Sequence, residues 1–167
     1  MNIIPDTISW QIQLFYVSHL AYAFLLGAVI GWERERAGKE AGIRTFGCIS
    51  MGSAAFSILS PLLGFADNSR IAAQIVLGIG FLGSGLFVRN ADKPTGLTTA
   101  ASLWVSAAVG MSVGFSLYYF AMGLAALTAL SLHLPSVNAW IRVSKKKKRR
   151  TSADAKRAAA KKAAEIA

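Results

Sequence analysis

Five apolar segments, separated by short polar stretches, constrain this chain more than any other feature of its sequence. A helix needs about 20 apolar residues to cross a bilayer core, with a range of roughly 17 to 25. A chain of 167 residues with 54% hydrophobic and only 16% charged residues is too apolar for a soluble core of its size. The pattern predicts an all-α, polytopic membrane protein, a bundle of about five transmembrane helices. The predicted spans are Phe15–Trp32, Ile43–Leu63, Ile71–Val88, Leu97–Val113 and Phe115–Leu134.

The distribution of Lys and Arg among the loops predicts how these spans are oriented. The loop after the first span contains Arg34, Arg36 and Lys39, and the loop after the third contains Arg89 and Lys93. The N-terminus and the connection between the last two spans contain none. Because positively charged loops stay in the cytoplasm, we expect the N-terminus outside and the C-terminus inside. This asymmetry requires an odd number of spans, in agreement with five.

The positive charge of the chain is concentrated at its C-terminal end. Residues 1–140 contain seven Lys and Arg against six Asp and Glu, whereas residues 141–167 contain eleven against two. We therefore predict a transmembrane domain over 1–140 and a basic, disordered cytoplasmic tail over 141–167. A basic tail beside a membrane suits anionic lipid headgroups. Nucleic acid is not an expected partner, because the basic residues are accompanied neither by a folded nucleic-acid-binding domain nor by interleaved aromatic residues.

A loop with charges of both signs joins the first two spans. Arg44 stands at the start of the second span, opposite Glu33 and Glu35, and it either snorkels to the headgroups or pairs with a carboxylate. Charge of both signs held at one membrane surface favours an interaction site. The candidate residues of this loop are Glu33, Arg34, Glu35, Arg36, Arg44 and Thr45.

Small residues are spaced for close contact between helices in two pairs, Gly27 with Gly31 and Gly110 with Gly114. The third span contains more glycine, namely Gly78, Gly80 and Gly83. Tight helix packing is the first interpretation of these glycines, and a helix that bends or exposes its backbone to a cavity is the second. Gln74, in the same span, needs a hydrogen-bond partner on another helix or a polar cavity. The hydroxyls of Thr98 and Thr99 at the start of the fourth span either cap and pack that helix or face the charged loop.

The ionisable residues do not form a recognisable catalytic or metal-binding pattern. All eight carboxylates lie outside the central parts of the predicted spans, where a divalent-cation carrier usually needs oxygen ligands. His19 and His133 fall near opposite leaflets with no ligand spacing, so satisfied or interfacial histidines are expected. Cys48 is expected to be a small packing residue. The sequence predicts no metal site, no cofactor and no enzymatic activity.

Three motifs in this chain are similar to those of the bacterial MgtC/SapB family of membrane proteins. They are GAVIGWERER with AGIRT in the first loop, SRIAAQIVLGIGFLGSG in the third span and TGLTTAASLWV in the fourth. The family-pattern residues that match are Glu33, Arg34, Glu35, Arg36, Gly42, Arg44, Thr45, Gln74, Gly78, Gly80, Gly83, Gly96, Thr98, Thr99 and Trp104.

The resemblance implies a multi-pass protein of the bacterial inner membrane, associated with growth or survival at low magnesium and, in some pathogens, with life inside host cells. Longer members of the family add a soluble, ACT-like regulatory domain after the last span, where this chain has its basic tail. Ligand sensing through such a domain is therefore not expected. The segment from Arg89 to Thr95 also contains less arginine and glycine than is usual in the family.

Two functions are consistent with these features. The first is a non-enzymatic membrane regulator that binds another membrane protein, or copies of itself, and adjusts cation (Mg²⁺) or membrane-energy homeostasis under stress. The second is a small transporter or channel for Mg²⁺ or another cation, formed at the interface of an oligomer. The charged loop favours the first, and the glycine-rich span with Gln74 favours the second.

Overall fold

The computed structural model describes residues 9–62, 69–88 and 96–134, with the side chains of 86–88 left out. Within these ranges the chain is helical and contains no strand. The predicted tail, the domain boundary after residue 140, Leu63 at the end of the second predicted span and the segment from Arg89 to Thr95 lie outside them. The helices are α1 (Trp10–Arg36), α2 (Ile43–Leu62), α3 (Ser69–Val88), α4 (Leu97–Gly114) and α5 (Tyr118–His133).

Five helices occur in the described ranges, as predicted, and their boundaries agree with the predicted spans to within about five residues. The helices differ in whether they are long enough to cross a membrane. Three helices, α1, α2 and α4, are long and apolar enough to cross a membrane, whereas α5 and the part of α3 over Ser69–Gly85 are apolar but shorter. The orientation and the number of crossings stay predictions.

Glycines bring α1 and α2 into backbone contact, as their spacing predicts. A Cβ added at Gly27 would lie 2.5 Å from the carbonyl oxygen of Phe46, and one added at Gly31 would lie 2.7 Å from the carbonyl oxygen of Gly42. Since α1 runs from Gly27 to Gly31 while its neighbour runs back from Phe46 to Gly42, the two helices are antiparallel. Small residues permit this approach and the dispersion contacts that stabilise helix pairs in lipid.

The second pair of glycines, on α4, contacts α2 in the same way. Gly110 lies against the backbone of Ser50, and Gly114 lies against Ala54. One turn before Gly110, the Ser106 hydroxyl donates a 3.0 Å hydrogen bond to the carbonyl oxygen of Phe46. The contacts advance together along both helices, so α2 and α4 are parallel. Helix α2 is therefore the centre of a three-helix core with α1 and α4.

The polarity of this core is the reverse of that in a soluble bundle. Fully or almost fully buried positions on α2 and α4 are occupied by serines, including Ser50, Ser57 and Ser106, whereas large apolar side chains such as Phe81 and Phe120 are exposed. Exposed apolar area on this scale marks a surface that contacts something other than water. Small and hydroxyl residues inside with large apolar residues outside are typical of helices packed in lipid.

A buried histidine joins α1 to α5. His19 donates from Nδ1 to the carbonyl oxygen of Phe15 at 2.8 Å, so its Nε2 is free to accept the hydrogen bond that the Tyr118 hydroxyl donates. Ala121 and Ala125 of α5 are also buried in the main hydrophobic core. The expectation of a satisfied histidine at position 19 is confirmed.

Two helices end in the same hydrogen-bonded turn but with different residues in the left-handed conformation. After α1, Lys39 N–H donates to Arg34 O and Gly38 N–H to Glu35 O, with φ of 66° at Gly38. After α4, Leu117 N–H donates to Ser112 O and Ser116 N–H to Val113 O, with φ of 62° at Ser116. Both are Schellman turns. Glycine has no Cβ penalty there, whereas serine is strained.

We expect Ser116→Gly to raise the free energy of unfolding by about 1 kcal/mol and Gly38→Ala to lower it by about the same amount. A Cβ at position 38 would meet nothing within 4 Å, so Gly38→Ala destabilises through the backbone conformation and not through a clash. Thermal melts of both variants in one mild detergent would measure the two effects. A fall in melting temperature for Ser116→Gly would contradict the assignment of strain to this turn.

Candidate functional site

The packing register brings three helix ends to the same end of the bundle. Gly31 of α1 lies at the level of Gly42, just before α2 begins. Because Ser106 and Gly110 of α4 face Phe46 and Ser50 of α2, the first turns of α4 reach the same end. We call this region, Trp32–Arg44 together with Gly96–Thr99, the charged end. It combines the predicted charged loop with the predicted entrance of the fourth span.

Glu35 caps the start of α2 from the end of α1. Its Oε2 accepts a 3.2 Å hydrogen bond from the backbone N–H of Ile43. A carboxylate at a helix N-terminus satisfies an unpaired donor and interacts favourably with the helix dipole. A Cβ on Gly42 would lie 2.6 Å from the same Oε2, so the absence of a side chain at position 42 makes room for the cap. The turn between the two helices is thus held at both of its ends, by this cap and by the Schellman turn at Gly38.

We expect Glu35→Ala to lower the free energy of unfolding by about 1 kcal/mol, because the cap of α2 is lost and nothing replaces it. Glu40→Ala is the matched control, since Glu40 is exposed in the same turn and its replacement should change stability by less than about 0.5 kcal/mol. Thermal melts in detergent would compare the two. Equal effects would show that Glu35 is an ordinary surface carboxylate.

The other charges of this end lie in different environments. Arg44, which is expected to snorkel or to pair with Glu33 or Glu35, is exposed. Its snorkelling or pairing stays a prediction. Arg36 stacks over the indole ring of Trp32, with its guanidinium carbon 5.4 Å from the ring centroid. Thr45 is exposed beside Arg44.

Among the cations of the described ranges, Arg34 lies inside the bundle, and the sequence did not distinguish it from its neighbours. Its side chain is only 5% exposed, and its Nε is buried without a hydrogen-bond partner in the described part of the chain. The spacing of Arg34 from the small residues of α1 indicates this burial. Arg34 follows Gly27 by seven residues and Gly31 by three, so it continues the face of α1 that contacts α2.

The entrance of α4 divides into buried and exposed positions. Thr99 is buried and Thr98 is exposed, while Trp104 is 52% exposed on the outer surface. The Ser102 hydroxyl donates to the carbonyl oxygen of Thr99 at 2.9 Å, a bond within its own helix. Gly96 is the N-cap residue and supplies no side-chain hydrogen bond to the first turn.

The candidate residues of α3 extend from the entrance of α4, at Gly83, to a region about two and a half turns away from it. Gly83 makes an ordinary 3.7 Å contact with the Cβ of Ala100, but a Cβ at Gly78 or Gly80 would meet nothing within 4 Å. Tight packing, the first interpretation of these glycines, is therefore wrong for Gly78 and Gly80 against the described residues of this chain. Gln74 lies nine residues before Gly83 and so about 13 Å farther along the helix axis, away from the entrance of α4.

Gly78 instead lines a cavity between α2 and α3, as the second interpretation of the glycine-rich span predicts. The cavity has a volume of about 510 Å³ and is lined by Gln74, Ser53, Gly52 and several apolar side chains. Cys48, expected to be a packing residue, is exposed on the same wall. No group of three or more His, Cys, Asp or Glu side chains that could hold a metal ion occurs in the described ranges.

The helical architecture, the long apolar helices and the serine-lined core define an α-helical membrane protein. The chain belongs to the MgtC family, because the model of that family matches residues 20–138. The matched range begins within α1 and extends beyond α5, so it includes the charged end and the cavity. The resemblance found in the sequence motifs is thereby confirmed. No solved structure matches this chain.

Several curated proteins are similar to this chain. It is 43% identical over 130 residues to the protein named "Putative magnesium transporter YhiD" of Escherichia coli K12, over 71% of this chain and 60% of that protein. It is 45% identical over 109 residues to "Protein MgtC" of Brucella abortus, over 65% and 46% of the two chains. It is 48% identical over 100 residues to "Protein MgtC" of Salmonella typhimurium LT2, over 59% and 43%. The chain spans 60% or less of the length of these relatives.

Proposed function

We propose that this protein is a non-enzymatic regulator in the bacterial inner membrane, which acts on Mg²⁺ or membrane-energy homeostasis by binding another membrane protein through its charged end. Five membrane crossings, with the N-terminus outside and the charged end in the cytoplasm, complete the proposal. A second copy of the chain is the other candidate for the partner. The family and the word magnesium in the name of the Escherichia coli relative support the choice of ion.

One observation carries the proposal: the turn that displays the charges is held in a fixed conformation. The cap from Glu35 to Ile43 and the left-handed Gly38 fix its two ends. Between and beside them, Lys39, Glu40 and Arg44 are exposed. A preorganised set of charges costs little conformational entropy on binding, and charge complementarity contributes more to specificity and association rate than to affinity.

A complementation experiment tests this proposal. The gene would be deleted in its own bacterium, and growth at limiting Mg²⁺ would be measured with wild type, with Glu40→Lys/Arg44→Glu, and with a Lys39→Ala/Gly38→Ala variant that loosens the turn. We expect the charge exchange to abolish the rescue while the protein level in the membrane stays unchanged. The exchange keeps the net charge, so a loss would depend on the arrangement of charges. Full rescue by this variant would refute the docking role.

Transport is the second candidate function, and the cavity between α2 and α3 favours it. Gln74 and the open backbone at Gly78 and Gly52 give this cavity polar groups within otherwise apolar walls. An unpacked glycine-rich helix is suited to line a path when a second copy closes the open side. A cation path would then be a property of the oligomer and not of one chain.

Flux measurements separate the two functions. Purified protein would be reconstituted in liposomes that contain a trapped Mg²⁺ indicator, and uptake would be followed under an imposed potential. Transport through the cavity predicts saturable uptake that Gln74→Leu abolishes and Arg44→Ala leaves intact. Uptake no faster than that of empty liposomes, from protein that elutes as one species, would favour regulation through a partner.

A further inference from the structure

The cavity between α2 and α3 has the size of a small-molecule binding site. Its volume is about 510 Å³, and ligand pockets typically have volumes of roughly 300 to 1,000 Å³ with mostly apolar walls and a few polar groups. An engineered apolar cavity of about 150 Å³ is large enough to hold benzene. The cavity of this protein therefore has room for a six-membered ring, its substituents and the first part of an attached chain.

The α3 wall of the cavity is held in place by the helix behind it. Ile75 and Ile79 line the cavity and are also buried in a hydrophobic cluster with Ala107 of α4. Farther along the same helix, Gly83 contacts the Cβ of Ala100. Helix α3 is thus packed on α4, and the cavity lies beside this contact, where α3 passes α2. It is a property of the packed bundle.

The cavity opens on the apolar outer surface of the bundle. Phe56 of α2 and Leu82 of α3 line it, and both side chains are more than half exposed. Leu77 and Phe81, on neighbouring positions of α3, are exposed as well. In a membrane protein such a surface contacts lipid. A ligand would therefore enter from the hydrocarbon of the bilayer and must be soluble in it.

The polar groups of the cavity are uncharged. Gln74, which is exposed there, offers an amide, and the buried Ser53 offers a hydroxyl. Gln74 lies about 13 Å along α3 from Gly83, and the whole bilayer core is about 30 Å thick. Charged phospholipid headgroups stay at the membrane surface, and an acyl chain cannot hydrogen-bond an amide at this depth. The lining favours a ligand that brings an uncharged hydrogen-bond acceptor into the hydrocarbon.

The shape of the lining suits a flat ring. Gly52 of α2 and Gly78 of α3 both line the cavity, and a Cβ at either position would meet nothing within 4 Å. A ring can therefore approach the backbone of both helices. The side chain of Phe56 adds an aromatic ring, and aromatic rings prefer offset-stacked or edge-to-face contacts with other rings.

We propose that this cavity binds a lipid-soluble quinone. A quinone carries uncharged carbonyl acceptors on a flat ring, and its apolar chain keeps it in the hydrocarbon. The amide of Gln74 donates to one ring carbonyl, the hydroxyl of Ser53 is a second donor, and the chain leaves the cavity past Leu82. The site rests on the part of the proposed function that puts α3 in the bilayer, but not on the regulatory role of the charged end. A bound quinone would also occupy the space that the transport alternative leaves to cations.

Protection of Cys48 tests the site. Cys48 is the single cysteine of the chain and is exposed on the cavity wall, so a bound ligand should slow its reaction with N-ethylmaleimide. The reaction would be followed by mass spectrometry of the protein in phosphatidylcholine nanodiscs. Decylubiquinone is the probe, because its fully substituted ring does not add the thiol, and decylbenzene keeps the ring and chain without the carbonyl acceptors. We expect half-maximal protection at a roughly tenfold lower concentration of decylubiquinone than of decylbenzene.

Two pairs of variants locate the binding. Gln74→Leu removes the amide and should raise the half-protecting concentration of decylubiquinone roughly tenfold, whereas Gln11→Leu, at an exposed glutamine of α1, should change it by less than about twofold. Gly78→Leu fills the cavity and should abolish protection by decylubiquinone. Gly80→Leu is its control, because Gly80 is an equally open glycine of α3 outside the lining.

The outcomes separate a quinone from other occupants. Equal protection by the two compounds would show that the cavity holds any apolar molecule, such as a lipid acyl chain, and would overturn the proposal. Failure of decylubiquinone to protect the folded wild type would also overturn it. Where only one of Gln74→Leu and Gly78→Leu folds, that variant decides, and unchanged protection would refute the site. Because the readout is binding, a negative result would leave the rescue experiment on the charged end unaffected.

Discussion

Gly110→Ala should lower the free energy of unfolding by about 3 kcal/mol or more, the largest effect expected of any single methyl group in this chain. The added Cβ would collide with the backbone carbonyl of Ser50 and would lie 2.8 Å from its Cα. Overpacking usually costs about 1 to 3 kcal/mol. Here the obstacle is backbone, so no change of rotamer relieves it, and α4 must move away from α2.

Gly80→Ala is the matched control for this prediction. Gly80 is also a helical glycine, but a Cβ there would meet nothing within 4 Å. Alanine is the better helix former by up to about 1 kcal/mol, so this variant should be as stable as the wild type or more stable. Thermal melts in one detergent would compare them. Similar melting temperatures for the two variants would contradict the close contact of α2 with α4.

Tyr118→Phe should lower the free energy of unfolding by about 1 to 3 kcal/mol. The change removes the hydroxyl that donates to Nε2 of His19, whose side chain is 5% exposed, and leaves that nitrogen buried without a donor. The loss is a desolvation cost and not a packing cost, because the phenyl ring keeps the contacts of the tyrosine ring. Helix α5 should therefore separate from α1 first on heating.

The adjacent tyrosine provides the control for this prediction. Tyr119 is 88% exposed, and Tyr119→Phe should change stability by less than about 0.5 kcal/mol. The double variant His19→Leu/Tyr118→Phe removes both polar partners, so it should be more stable than the sum of the single effects predicts. Strict additivity in this cycle would mean that the two side chains do not interact.

The sequence predicts the helices of this fold well, since bilayer-length apolar segments are recognised from composition alone. It also predicts the contact of Gly27 and Gly31 with α2, because the spacing of small residues determines which face allows close approach. The same rule fails for Gly78 and Gly80. Glycine permits close packing, but only a neighbouring helix at the same height provides it, and that height depends on the register of the whole bundle.

The candidate site shows the same difference between local and long-range information. The charged loop is evident from the sequence, and its position at one end of the bundle follows from the boundaries of the helices. The separate roles of its residues do not follow. Glu35 binds across the turn to Ile43 and Arg34 faces inward, and both depend on how α1 lies against α2.

The most direct test of the account is rescue of a deletion strain at limiting Mg²⁺ by the charge-exchanged variant, measured beside Mg²⁺ flux in proteoliposomes made from the wild type. We expect Glu40→Lys/Arg44→Glu to fail in rescue although its amount in the membrane and its melting temperature match the wild type, and we expect the wild type to show no flux above empty liposomes. Full rescue by the variant, together with saturable Mg²⁺ uptake by the wild type, would contradict regulation through the charged end and would establish transport instead.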